Sequence, residues 1–237
     1  MAERKPTRST AAKAPTKRRG RKAAKPANVL ELLRREQGPL VWRRRYEPVD
    51  ELVVTILSQH TSDLNAERSY AVLKRAYATW DAVADAPLEE IEAAIRSAGL
   101  SRQKAPRIRE TLRKIRELRG ALDLEFLRDL PLDEAKRWLT ALPGVGPKTA
   151  AVLLCFAMGM PAMAVDTHVY RVARRLGLIG PKVSVETAHT LLEQAVAPEA
   201  VYSFHVYLIT HGRRVCQARR PRCEGCVLSA ICPSSTA

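Results

Sequence analysis

The sequence predicts an all-α fold. Two observations carry that reading: beyond residue 27 apolar residues recur at steps of three or four, and strand-like alternation never persists. Breakers at Pro87, Gly99, Gly120, Pro131, Pro143-Gly144, Gly159-Met160-Pro161, Gly180-Pro181 and Pro198 cut the pattern into helices of ordinary length joined by short loops. No long-period repeat is present, so an irregular helical fold is expected rather than a solenoid.

Residues 1–27 stand apart from this pattern. They hold ten Lys or Arg against one acid, Glu3, and no Leu, Ile or Phe. Such a segment cannot bury enough surface to offset its ordering entropy, so a disordered basic tail is expected. The chain of 237 residues carries a net charge of +15, of which the tail supplies +9 and the rest +6. A basic tail can add salt-dependent, sequence-independent phosphate contacts, or act as a solubilising extension.

The helical stripes follow in order. Leu52, Val53, Ile56 and Leu57 form the first, Ile108, Leu112 and Ile115 the second, and Ala188, Leu191, Leu192 and Ala195 the third. The longest apolar run, Ala150 to Met160, falls short of the about 20 residues a bilayer requires, and the N-terminus has no signal-peptide core. An intracellular protein without a membrane partner is expected: cytoplasm or nucleoid in a bacterium, and the nucleus in a eukaryote, where Lys17 to Lys22 can be read as an import signal. Cys155 lies inside the apolar run and reads as a packed, inert thiol.

Chemistry concentrates at three places. In Leu142-Pro-Gly-Val-Gly-Pro-Lys-Thr-Ala150 the glycines permit a tight turn and Pro147 suits the first position of a helix, so amides around Gly144, Val145, Gly146 and Thr149 are expected to face a phosphate. With the preceding helix from Asp133 this makes a helix-hairpin-helix. Lys148 falls in the first turn of the second helix, where the positive end of the macrodipole favours the neutral amine, a nucleophile able to form a Schiff base. Standing alone it reads equally as a phosphate-contacting or solvated lysine. Val165-Asp166-Thr167-His168 is another helix start, with Asp166 placed to cap the helix or face a site.

The third place is the C-terminus, where Cys216, Cys223, Cys226 and Cys232 are separated by six, two and five residues. Four thiolates complete the shell of a [4Fe-4S] cluster or a structural zinc. Only Cys223 and Cys226 form a Cys-x2-Cys pair, which favours the cluster; two disulfides would require a secreted chain. Arg219, Arg220 and Arg222 lie within this loop, with Arg213 and Arg214 just before it, as a possible phosphate-binding rim or as solvated charge.

In the hairpin sequence, in Ala164-Val-Asp-Thr-His168 and in the C-x6-C-x2-C-x5-C ending, the chain resembles endonuclease III, the bifunctional DNA glycosylase of the helix-hairpin-helix superfamily, over about residues 28–233. The resemblance implies a six-helix barrel domain (42–160) carrying the hairpin, and a [4Fe-4S] cluster domain built from both chain ends (28–41 and 161–237), with a DNA cleft between them. It assigns Lys148 as the Schiff-base lysine, Asp166 as the catalytic aspartate, and the four cysteines as cluster ligands. The implied partner is damaged double-stranded DNA, bound by a monomer.

The family's intercalating glutamine and leucine correspond to His60 and Leu100, with Gln59 beside the first; His168 joins the DNA-binding set. Two departures stand out, histidine at position 60 and Pro147 where many relatives carry a basic residue. Taken alone, Leu100 reads as a helix-end core residue. An adenine-mismatch glycosylase would have Glu where this chain has Thr55 and no lysine at 148, and a purely DNA-binding module would need neither Lys148 nor Asp166.

Overall fold

The computed structural model describes residues 22–237, so the expected disordered tail falls mostly outside the described residues. Every regular element among the described residues is helical. Helix α1 (Pro26–Gln37) begins two residues before the boundary expected from composition. Pro26 supplies a helical φ and has no N–H to satisfy there, and the Ala24 amide is already tied to the Leu176 carbonyl at 2.9 Å.

Helices α2 (Pro48–Ser58), α3 (Asp63–Ala76), α4 (Trp80–Asp85), α5 (Leu88–Ala94), α6 (Ser101–Arg119), α7 (Leu132–Thr140) and α8 (Pro147–Phe156) then build the barrel. Pro87 separates α4 from α5 by holding Ala86 extended, as the residue before a proline is. Ser62 and Thr79 cap α3 and α4 with side-chain oxygens. The barrel core runs through Leu52, Ile56, Leu73, Ile91, Ile108, Leu112, Leu139 and Leu154, all but sealed from solvent. Truncating any one of these to Ala costs about 2–5 kcal/mol.

Helices α9 (Thr167–Leu176), α10 (Val185–Ala195) and α11 (Val201–Arg214) precede the cysteine loop. Their core includes Val169, Val172, Phe204 and Leu208, and it also takes Val29 and Leu33 from α1. Both chain ends therefore share one apolar cluster. Cys155, although on α8, belongs to this second core; it is fully buried and burial pushes its thiol up to about 12, an inert group.

Polar contacts tie the two cores together. Trp42 Nε1 donates to the Cys155 carbonyl at 2.9 Å, and Arg44 Nε to that of Ala157 at 3.0 Å. Glu193 of α10 accepts from Lys136 of α7 and from the Met163 amide at 2.9 Å, fixing α10 against the hairpin. No described helix is long and apolar enough to cross a membrane.

Candidate active site

Lys148 and Asp166, eighteen positions apart in sequence, line one cavity of about 330 Å³ between the two cores. Pro147 starts α8, which places Lys148 in its exposed first turn. Asp166 is the N-cap of α9: Oδ1 accepts from the amides of His168 at 2.8 Å and Val169 at 2.7 Å. The capping and site-facing readings therefore hold together, since the cap fixes the carboxylate and the same side chain lines the cavity.

The remaining wall comes from Glu51, Thr55 and Ser58 of α2, Asp63 and Glu67 of α3, Val152 and Phe156 of α8, and His205 and Arg213 of α11. His205 is 2% exposed and its Nδ1 lies 2.7 Å from the Ala164 carbonyl, which makes that nitrogen the donor. Burial holds the imidazole neutral against the opposing pull of that carbonyl and of Asp166, with Lys148 adding to the effect of burial. Arg213 bridges to Asp63 at 2.8 Å, joining α11 to α3 across the cavity rim rather than belonging only to the basic loop.

The hairpin presents Gly144, Gly146, Pro147 and Lys148 to solvent. Gly144 adopts φ +77°, and a Cβ there would meet the Arg107 side chain at 3.3 Å. Among the described residues, the amides of Gly146, Lys148 and Thr149 donate to no backbone carbonyl, which leaves them available to an anion. One expectation is corrected here: the Val145 amide turns inward to the Leu142 carbonyl at 3.2 Å, closing the turn, so it does not face outward, whereas the Thr149 amide stays free although its side chain is only 5% exposed.

Gln59, His60 and Leu100 come together, with Lys104 and Arg107, on a second open cavity. His60 (φ +53°) and Leu100 (φ +51°) are the described non-glycine residues with positive φ. Leu100 is 47% exposed, so it is not the helix-end core residue that its type suggests when taken alone. Arg107 Nη1 donates to Gln59 Oε1 at 3.2 Å. Beneath both turns the buried Lys104 donates to the carbonyls of Leu57 at 2.7 Å and Ala98 at 2.8 Å, pinning the end of α2 to the turn before α6.

The four C-terminal cysteines line one small, largely apolar cavity with Val172, Leu176, Val215 and Leu228, and none of them is in a disulfide. Among the described residues no three His, Cys, Asp or Glu side chains converge to hold a single metal ion. Arg175 gathers the loop: its guanidinium reaches Cys216 Sγ at 3.2 Å and the carbonyls of Gln217 at 2.7 Å and Ala218 at 2.8 Å. Arg219, Arg220 and Arg222 are exposed on its outer side. His168 is half-buried beside this region, where Arg171 binds its Nδ1 at 3.1 Å and the Gly212 carbonyl at 2.8 Å.

A family model described as HhH-GPD superfamily base excision DNA repair protein matches residues 53–198, which takes in the hairpin, Lys148 and Asp166. The chain belongs to that superfamily. Endonuclease III of Synechocystis is 38% identical over 191 residues, 80% of this chain and 83% of its own. A protein of Arabidopsis thaliana described as a DNA glycosylase is 36% identical over 165 residues, 70% of this chain; the match spans 56% of that longer protein. A solved structure of a trapped endonuclease III–DNA covalent intermediate superposes with a TM-score of 0.74 at 32% identity, covering 88% of this chain and 94% of that one. This superfamily member is thus an enzyme, a base excision repair DNA glycosylase that binds DNA.

Reading the sequence alone missed Glu51, His205 and Lys104. Glu51 and His205 had one signal, a polar residue beside or inside an apolar run, Lys104 had none, and no spacing named a partner for any of them.

Proposed function

We propose that the enzyme is bifunctional: it removes oxidised or reduced pyrimidines of the thymine glycol type from duplex DNA and then cleaves the abasic strand by β-elimination through a Schiff base on Lys148. The observation that carries this is the meeting of Lys148 and a capped Asp166 on one cavity, beside outward hairpin amides and a strained pair of turns. A base inside a duplex cannot be reached in place, so it is extruded into the cavity while His60, Gln59 and Leu100 fill the gap. Gly144, Gly146 and Thr149 hold the hairpin against a phosphate, and Arg219, Arg220, Arg222 and His168 add charge and polar contacts along the cleft.

Lys148 attacks C1′, the base leaves, and the resulting imine acidifies the 2′ proton; its loss expels the 3′ phosphate and nicks the strand 3′ to the lesion. Asp166, held by two amides, keeps its carboxylate where positive charge develops on the sugar. One chain suffices for this chemistry, so the enzyme works as a monomer.

Cys216, Cys223, Cys226 and Cys232 fit a [4Fe-4S] cluster: four cysteine side chains line one apolar cavity, and four thiolates complete its shell. When bound, the cluster supplies a structural cross-link that presents the Arg219 to Arg222 loop. Borohydride trapping on an abasic duplex tests the mechanism. The chain should form a covalent adduct, and Lys148→Gln should lose both adduct and nicking while retaining most DNA affinity; a folded variant that still nicks would defeat the assignment.

A further inference from the structure

The steps just described leave one acid in the cavity without a task. Glu51 is 5% exposed, and its Oε2 is buried with no hydrogen-bond partner among the described residues. Its Oε1 makes one long contact, 3.5 Å from Thr55 Oγ1. Arg45 faces it across the wall, but that guanidinium is paired with Glu67. The surrounding positions, Leu52, Val53, Ile56 and Leu57, are apolar and buried, so a hydrocarbon at position 51 would satisfy the fold. An unsatisfied carboxyl in such a place costs stability, and this one lies on the cavity that also holds Lys148 and Asp166.

We propose that Glu51 is the proton donor to the extruded base. The inference rests on the proposed glycosylase cavity and deepens it. As the C1′–N1 bond breaks, its electron pair stays with the base, and the Glu51 proton passes to a carbonyl oxygen of that base. The base departs neutral. The Lys148 amine forms the new bond to C1′ and then releases a proton to solvent, while Glu51, left as carboxylate, regains its proton from solvent once the cavity opens. A pyrimidine carrying a carbonyl beside its glycosidic nitrogen suits this donor.

Burial pushes the Glu51 carboxyl up to about 7, opposed by Arg45 and by the Thr55 hydroxyl. The other ionisable groups on the cavity are Asp63 and Glu67 from α3, Lys148 from α8, Asp166 at the start of α9, and His205 and Arg213 from α11; Cys155 of α8 lies close behind. A group with a raised carboxyl value is protonated below it, so donor capacity is full in mild acid and lost as pH rises through about 7.

The test compares two duplexes, one with thymine glycol and one with a preformed abasic site, under single turnover with cluster-loaded protein. In Glu51→Leu, base release should fall at least tenfold relative to abasic-site nicking by the same preparation. Glu51→Gln keeps the volume and a hydrogen-bond donor but has no transferable proton, so it should bind the lesion yet show the same lowered ratio. It should also lose the fall in base release that the parent chain shows between pH 6 and 8. Unchanged ratios in both variants, or an unchanged pH profile in Glu51→Gln, would overturn the role of Glu51 while leaving Lys148 in place. A parent chain that neither traps nor nicks the abasic duplex would overturn both.

Discussion

The hairpin and the pair of turns at His60 and Leu100 solve the same backbone problem in opposite ways. Each holds a residue at positive φ on an open surface that we propose faces DNA. The hairpin uses Gly144, at φ +77°, where no Cβ opposes the conformation. The other two turns hold a histidine at +53° and a leucine at +51°, in a region that costs a residue with a side chain about 1–2 kcal/mol. Glycine would remove that cost in both turns, so the difference points to what each region presents. The hairpin offers backbone amides and needs no side chain; the two turns offer side chains and keep the strain to do so.

The sharpest way to break this contrast is to remove what holds the strained turns in place. Lys104→Met leaves the Leu57 and Ala98 carbonyls without their buried donor, and should cost about 2–4 kcal/mol in denaturant unfolding. Burial, helped by Arg107, holds the Lys104 amine below its ordinary value. The unfolded chain then binds the extra proton between the folded and unfolded values, so stability should rise with pH as that window is crossed toward 10.5. The methionine variant should lack that rise, and a variant that kept it would show that Lys104 is not its source.

A smaller effect is expected at the glycine. Gly144→Ala places a Cβ at positive φ against Arg107, 3.3 Å away, and should destabilise by about 1–2 kcal/mol. It should also weaken binding to undamaged duplex, because the neighbouring amides are displaced from the phosphate proposed for them. Equal affinity by fluorescence anisotropy would place the phosphate contact elsewhere.

The same contrast explains what the sequence disclosed. Gly144, Gly146 and Pro147 announce a turn and a helix start through their own backbone chemistry, and four cysteines at fixed spacing announce a shared site. Periodicity located the buried stripes of α2 and α6, but on α10 only Ala188 and Leu192 are buried, while Leu191 and Ala195 of the expected stripe are exposed. Glu51 escaped because α2 is buried nearly all round, from Pro48 to Leu57, so no period separates an inward from an outward side. Lys104 escaped because it sits among Arg102, Arg107 and Arg109, where a further cation reads as solvated. Val145 was misread for the converse reason: a hairpin motif identifies the turn, but which amide closes it is settled only by the hydrogen bonds formed.

The smallest stability effect is also the one that separates strain from packing. Leu100→Gly relieves the positive-φ cost while losing little burial, because the side chain is already 47% exposed. Glycine also gains freedom in the unfolded chain, which takes back about 0.5–1 kcal/mol. The net should be a stabilisation of no more than about 1 kcal/mol. Base release from a lesion duplex should nonetheless fall, since no side chain remains to hold the gap beside the orphan base, whereas nicking of an abasic duplex should fall less. His60→Gly should behave in the same sense. Stability and excision moving in opposite directions in both variants is what retained strain requires; a parallel loss of both would mean that these side chains serve the fold, and that the two turns differ from the hairpin in nothing but composition.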